Sequence, residues 1–123
     1  MKIWVDGGGA NLEGQRAKIA VVFEDGKKIV RKLGKLTNNS AEYTALLEAL
    51  YHPESSKSKI FTDSQLLVGQ LTKGWKVNKK HLMPLHEEAK RLLKEKECEL
   101  AWVRREENLA GKILERERDL SKQ

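Results

Sequence analysis

Residues Met1 to Gly9, MKIWVDGGG, decide the fold. Apolar side chains at Met1, Ile3 and Val5 recur with the period of two that marks a half-buried strand. Asp6 follows at once, and then come three glycines, which tolerate unusual backbone angles and let another backbone approach closely. A carboxylate at the end of a rigid strand, with no bulky neighbour after it, suits metal or phosphate chemistry. Asp-Gly is also a common turn dipeptide, so this stretch alone leaves a plain turn open. The choice depends on whether other segments bring carboxylates to the same place.

Working outward, Lys18 to Phe23 (KIAVVF) and Lys28 to Leu33 (KIVRKL) are two more β-rich runs. Glu24-Asp25-Gly26-Lys27 joins them as a tight hairpin, which predicts an antiparallel meander of three strands. Thr37 to Ser40 reads as a loop and helix start. The helix then carries Ala41, Ala45, Leu46, Ala49 and Leu50 at helical spacing, with Glu42 in its first turn and His52-Pro53 closing it. Ser58 to Thr62 is a fourth strand, ended by Asp63. Ser64 to Thr72 is a short helix stopped by Gly74, and His81 to Lys96 a longer one with Pro84 in its first turn. Glu99 to Val103 is a fifth strand, and Glu107 to Leu120 is helical by composition. This order, with right-handed crossovers, predicts one α/β domain over residues 1–123. Its five-stranded mixed sheet has strands 1–3 antiparallel and strands 1, 4 and 5 parallel, with helices on both faces.

Composition bounds the partners. A length of 123 residues at 39% hydrophobic suits one domain with a real core. No run approaches the roughly 18 apolar residues of a membrane span. The formal net charge of +6 favours a polyanionic partner, nucleic acid above all. Cys98 is the single cysteine, which excludes an internal disulfide and a multi-cysteine zinc site. The N-terminus shows no basic segment followed by an apolar stretch, so a reducing, cytoplasmic setting is expected. The sequon Asn38-Asn39-Ser40 is discounted for the same reason.

Asp6 and Asp63 end strands expected to lie side by side, roughly 4.8 Å apart. Glu42 begins the helix that crosses between them. Each has a bland alternative: a first-turn glutamate pairing with the helix dipole, and an aspartate capping the helix at Ser64. Their convergence on one sheet edge outweighs both. Clustered carboxylates repel, and a hard divalent cation such as magnesium, which prefers oxygen ligands, removes that cost.

VDGGG (Val5 to Gly9), TNNSAEYTALLEAL (Thr37 to Leu50), FTDSQLLVGQL (Phe61 to Leu71), GWKVNKKHL (Gly74 to Leu82) and WVRREEN (Trp102 to Asn108) carry a resemblance. In content, order and spacing the chain resembles the type 1 ribonuclease H family, in a short form without the family's basic protrusion. The resemblance implies a ribonuclease H-like fold and hydrolysis of the RNA strand of RNA–DNA hybrids, largely regardless of sequence. It implies two Mg2+ ions bound with substrate and Mn2+ as a possible substitute; a monomer is expected. Asp6, Glu42 and Asp63 match the first three members of the family's acidic set. Asn39 and Gln65 match positions that contact the RNA strand. Asn38, which shapes the loop, joins Gly7, Gly8 and Arg105 as further substrate-side candidates. Trp75 and Lys76 match the part that holds the DNA strand. A resolvase or transposase core of the same fold would need extra domains or a dimer arm.

Two departures stand out. The family's fourth acidic residue is an Asp four places after an Asn, and here that register, Asn108-Leu109-Ala110-Gly111-Lys112, reads lysine. A protonated lysine cannot ligate magnesium. Glu115, about one turn later on the same helix face, is the favoured fourth catalytic and metal ligand, ahead of Glu107 and Glu106. Gly111 inside a helix costs about 1 kcal/mol against alanine, which marks a close backbone approach or a shifted helix. The alternative is that the fourth ligand is absent and the chain is a weakened or inactive hybrid-binding module. Secondly, Gly74 to His81 replaces the basic protrusion, leaving Lys73, Lys76, Lys79 and Lys80 around Trp75. An aromatic among cations suits a sugar-phosphate backbone, with salt-sensitive affinity. The family's mobile histidine has no counterpart; Arg104 and Arg105 occupy that loop and can bind phosphate, whereas His52, His81 and His86 are read as surface or packing residues.

Overall fold

The computed structural model describes residues 1–10 and 15–121. Strands β1 (Lys2–Gly8), β2 (Lys18–Phe23) and β3 (Lys28–Lys32) form the antiparallel meander. Then come α1 (Asn38–Tyr51), β4 (Lys59–Thr62), α2 (Gln65–Thr72), α3 (Met83–Glu95), β5 (Glu99–Trp102) and α4 (Leu109–Ser121). The sheet order is β3-β2-β1-β4-β5, with β4 parallel to β1 and β5 parallel to β4.

Alternation along β1 builds two layers. Ile3 and Val5 face the main core, with Ile19, Val21 and Phe23 of β2 and Ala45, Leu46 and Leu50 of α1. Trp4 faces the other side, where Ala20 and Val22 meet Ala110 and Leu114 of α4. Asp6, two residues beyond Trp4, shares that second face. Helices α1, α2 and α3 are tied by one polar network: the Tyr43 hydroxyl donates to Gln70 Oε1 at 2.6 Å and meets His86 Nδ1 at 3.1 Å. Gln70 Nε2 then donates to the Lys76 carbonyl at 3.4 Å, so the loop carrying Trp75 is fastened to the core. His86 is thus a packing residue, as expected.

Of the boundaries that differ from expectation, four lie beside the candidate site residues. β1 continues through Asp6 to Gly8, because Asp6, Gly7 and Gly8 still pair with Ala20, Ile19 and Lys18 of β2. Asp6 is therefore held inside the ladder rather than past its end. Helix α1 begins at Asn38, since the Thr37 side chain caps it by accepting from the Ser40 amide at 3.1 Å. Glu42 is consequently beyond the first turn, where the helix dipole exerts little pull. Ser64, not Asp63, caps α2, accepting from the Leu67 amide at 3.1 Å. Lastly, Arg105–Glu107 form a short 3-10 turn and α4 starts at Leu109, with Asn108 accepting from the Ala110 amide at 3.1 Å.

Gly7 sets the spacing of α1 against β1. A Cβ built there would lie 2.3 Å from the Ala41 carbonyl oxygen and 2.7 Å from the Glu42 nitrogen, so the helix can seat only on a glycine. Gly8, one residue on, would place a Cβ in open space. We expect Gly7→Ala to cost about 1–3 kcal/mol by overpacking. Gly8→Ala should stay within about 0.5 kcal/mol of the parent. Chemical denaturation of the two variants checks the contrast, and equal effects would contradict this packing.

Candidate metal centre

Three elements deliver one carboxylate each. Asp6 comes from the middle of β1, Asp63 follows the last residue of β4, and Glu42 leans from α1 over the strand ends. One carboxylate oxygen from each lies within 4.8 Å of the others. Glu42 Oε1 accepts from the Gly7 amide at 2.6 Å, so the helix residue is pinned to the strand that carries Asp6. Asp63 Oδ2 accepts from Asn108 Nδ2 at 3.1 Å, and the same amide group donates to the Val5 carbonyl at 3.0 Å. Asn108 is fully buried and also caps α4, so one side chain fixes a helix, a strand and a carboxylate together.

The cluster is electrostatically strained without a cation. Burial, reinforced by the neighbouring Asp63 charge, pushes the Asp6 carboxyl up to about 7. Burial and the Asp6 charge push Glu42 up to about 9. Arg105 opposes the shift at Asp6 without cancelling it. Three oxygen donors that repel one another in a cleft fit a hard divalent cation, which would let all three ionise. No cysteine or histidine belongs to the cluster, so soft-metal chemistry is not favoured.

The carboxylates lie in a cleft of about 770 Å³. Gly7, Gly8, Gly9, Asn38, Asn39, Ser64 and Arg105 are among the residues that line it, and Arg16, Lys18 and Lys32 bring positive charge to it. Asn38 Oδ1 accepts from the Gly9 amide at 2.7 Å, in keeping with a loop-shaping part. A cleft lined by both carboxylates and cations can take a phosphodiester whose charge is met by cationic side chains and by any divalent ion the carboxylates would hold.

The remaining sequence candidates fall in distinct places. Glu115 does not join the carboxylates; its Oε1 pairs with Arg105 Nε at 3.1 Å. Glu107 lies near Arg104, with Nε and Oε1 3.7 Å apart. Gln65 is exposed at the start of α2 and is not among the cleft-lining residues. Trp75 and Lys76 are exposed and also outside that lining. The Trp75 ring lies on α2, where a Cβ at Gly69 would sit 2.1 Å from it, and Lys73 Nζ is 6.0 Å from a Trp75 ring centroid. Sequence reasoning missed Asn108 as the support of Asp63. An Asn directly before a helical segment was the available signal, since such residues cap helices. Lys18 and Lys32 were also missed, because strand lysines facing a cleft look the same in sequence as strand lysines facing water.

A family model described as RNase H matches residues 1–111. The fold is similar to the N-terminal RNase H domain of a Mycobacterium tuberculosis protein, solved as a fusion with maltose-binding protein, at 27% identity and TM-score 0.75, covering 87% of this chain and 84% of that one. It is similar to RNase H1 from the halophilic archaeon Halobacterium salinarum, at 28% identity and TM-score 0.72, covering 89% and 91%. It is also similar to LC11-RNase H1, from compost, solved in complex with an RNA/DNA hybrid, at 27% identity and TM-score 0.72, covering 88% of each chain.

The raised carboxyl values give a pH prediction for the metal-free protein. A carboxyl whose folded value lies above its unfolded one binds its proton more tightly when folded, so the stability it contributes is lost as pH rises. That loss should run from the ordinary values of 3.8 and 4.5 up through about 7 and about 9. Metal-free protein should therefore melt lower at alkaline than at mildly acid pH, Mg2+ should remove much of the difference, and Glu42→Gln should flatten the profile. Thermal melts across pH check this; a metal-free profile indifferent to Glu42→Gln would contradict it.

Proposed function

Because the chain belongs to the type 1 ribonuclease H family, we propose that it hydrolyses the RNA strand of RNA–DNA hybrids with the help of two divalent ions. The observation that carries the reading is the trio Asp6, Glu42 and Asp63, converging within 4.8 Å in a cleft that cationic side chains also line. A similar protein's structure with an RNA/DNA hybrid supports the substrate class.

Asp6, held in the β1 ladder, would serve both ions, and Glu42 and Asp63 would each hold one. Bound Mg2+, or Mn2+ in its place, supplies an activated water and stabilises the charge on the leaving 3′ oxygen. The chain's own part is positional. The Gly7 amide keeps Glu42 over the strand ends, and Asn108 keeps Asp63 from swinging away. Asn38 and Asn39 lie on the cleft wall where 2′-hydroxyls would be met, the groups that tell RNA from DNA. Gln65 would act with them from the start of α2. Arg105, steadied by Glu115, would face a phosphate beside the ions. Glu115 acts in this proposal through Arg105 and is kept as the fourth-ligand candidate only if that pair opens on loading. Trp75 would stack on the DNA strand, with Lys76 on its phosphates. The protein would work as a monomer in the cytoplasm.

A second reading has its own observation: among the described residues no fourth carboxylate joins the trio. A chain so built could bind hybrid and turn it over slowly or not at all. Incubation with labelled RNA–DNA hybrid, single-stranded RNA and duplex DNA, with and without Mg2+ or Mn2+, separates the two. Metal-dependent cleavage of the hybrid's RNA strand alone is the expected result; retention without cleavage in either metal would favour the binding module.

Asp63→Asn should lower cleavage by more than the roughly 10- to 100-fold loss usual for a residue that merely supports a metal ligand. Hybrid binding should survive that change, and unaltered turnover would remove Asp63 from the centre. Trp75→Ala should weaken hybrid binding by about 1–3 kcal/mol through lost stacking. Lys76→Ala should reduce the slope of log affinity against log salt by about 1. Binding titrations at several salt concentrations read both effects.

A further inference from the structure

On the face of the sheet that carries Asp6, two lysines stand directly opposite each other. Gly8 of β1 pairs with Lys18 of β2, and Lys18 pairs with Lys32 of β3. The row of Asp6, Ala20 and Val30 lies two residues away, so by strand alternation both rows look out on the same side. Lys18 is thus one strand across and two residues along from Asp6, roughly 5 and 7 Å in those directions. The corner between them is Gly8, where a Cβ would meet nothing within 4 Å. The step from the carboxylates to the lysines is therefore open, and Lys18 and Lys32 both line the cleft.

Like charges directly opposite on neighbouring strands are destabilising. Among the described residues neither lysine takes part in an ion pair. Arg31, on the opposite face of the same strand, does: its Nε donates to Glu48 Oε1 at 2.5 Å. The meander thus neutralises the arginine it turns toward α1 and leaves these two lysines, turned toward the cleft, without a counter-charge. Arg16 lines the cleft with them, and its Nε donates to the carbonyl of Leu33, the residue after Lys32, at 3.1 Å. Lys18 is half-buried, so part of its stem is packed before any partner arrives. Paired cations beside open backbone suit an anion that the fold itself does not supply.

Resting on the proposed function, we propose that Lys18 and Lys32, with Arg16 beside them, clamp one phosphodiester of the RNA strand, flanking the phosphate that lies at the carboxylates. The strand whose phosphate meets Asp6 is the one that continues across Gly8, which assigns the clamp to RNA rather than to DNA. One anion between two ammonium groups removes their repulsion, as a divalent ion removes that of the carboxylates. The cleaved strand is then fixed at two points, and its register is set by backbone charge with no base read.

The test is hybrid binding in an Asp63→Asn background, which stops turnover and keeps the lysines, using hybrids in which single phosphates are replaced by neutral methylphosphonates. Neutralising one RNA-strand phosphate beside the cleavage position should weaken binding by about tenfold, the scale of a charged hydrogen bond. The same replacement should cost Lys18→Gln/Lys32→Gln nothing, because its clamp carries no charge. That double variant should also lower the slope of log affinity against log salt by about 0.9, the value for one phosphate, and not by twice that. Should the double variant fold poorly, Lys32→Gln alone should give a smaller loss at the same phosphate. Arg31→Ala, on the other face, should bind as the parent does. No RNA phosphate whose neutralisation hurts the parent more than the lysine variants, a sensitive phosphate on the DNA strand instead, or an equal loss from Arg31→Ala overturns the clamp while leaving hybrid recognition intact. A parent background that binds no hybrid overturns the proposed function as well.

Discussion

One close approach governs the molecule: the seating of α1 on β1 at Gly7. The helix backbone comes so near that a single methyl group would collide with the Ala41 carbonyl. That proximity brings Glu42 Oε1 to 2.6 Å from the Gly7 amide and so places it beside Asp6. It follows that the site is a by-product of helix-on-sheet packing rather than of a flexible loop. A constellation carried on packed elements is held more tightly than one carried on loops.

The second governing feature is stored repulsion. Asp6 and Glu42 are withdrawn from water and placed against each other and Asp63, so their carboxyls are pushed up to about 7 and about 9. A fold keeps such an arrangement only when the surroundings over-determine it. Here the surroundings are the β1–β2 ladder, the Gly7 amide and the buried Asn108. Each grips one member of the trio by a different element, so relaxing any single carboxylate would mean breaking backbone pairing, a helix seat or a helix cap.

The residues proposed to meet substrate fall on two surfaces. The cleft itself carries Asn38, Asn39, Arg105 and the strand lysines 18 and 32. A separate exposed aromatic, Trp75, lies on α2 beside Lys73, and its loop is tied through Gln70 and Tyr43 to the core. Under the proposed function, a duplex reaching from one to the other would meet the carboxylates with one strand and the aromatic with its partner.

Much of this was legible beforehand. Period-two alternation in β1, β2 and β4 and the Asp-Gly hairpin are local signals, and local signals survive in a bare sequence. They gave the element order, and handedness rules then gave the sheet. The trio Asp6, Glu42 and Asp63 was legible too, not from any one of them, since each alone has a bland reading, but from their convergence on one sheet edge. What sequence spacing misjudged was rotation and reach. It put Glu42 in the first turn of α1, whereas Thr37 caps that helix and Glu42 lies beyond the turn. It favoured Glu115, which turns to Arg105. Helix phase depends on which cap forms, and side-chain reach depends on which partner competes for the charged end. Sequence by itself determined which elements form and which acids they carry; only tertiary structure decided which face of α4 meets those acids, because that is set by packing against β1 and β2 and leaves no periodic trace in the chain.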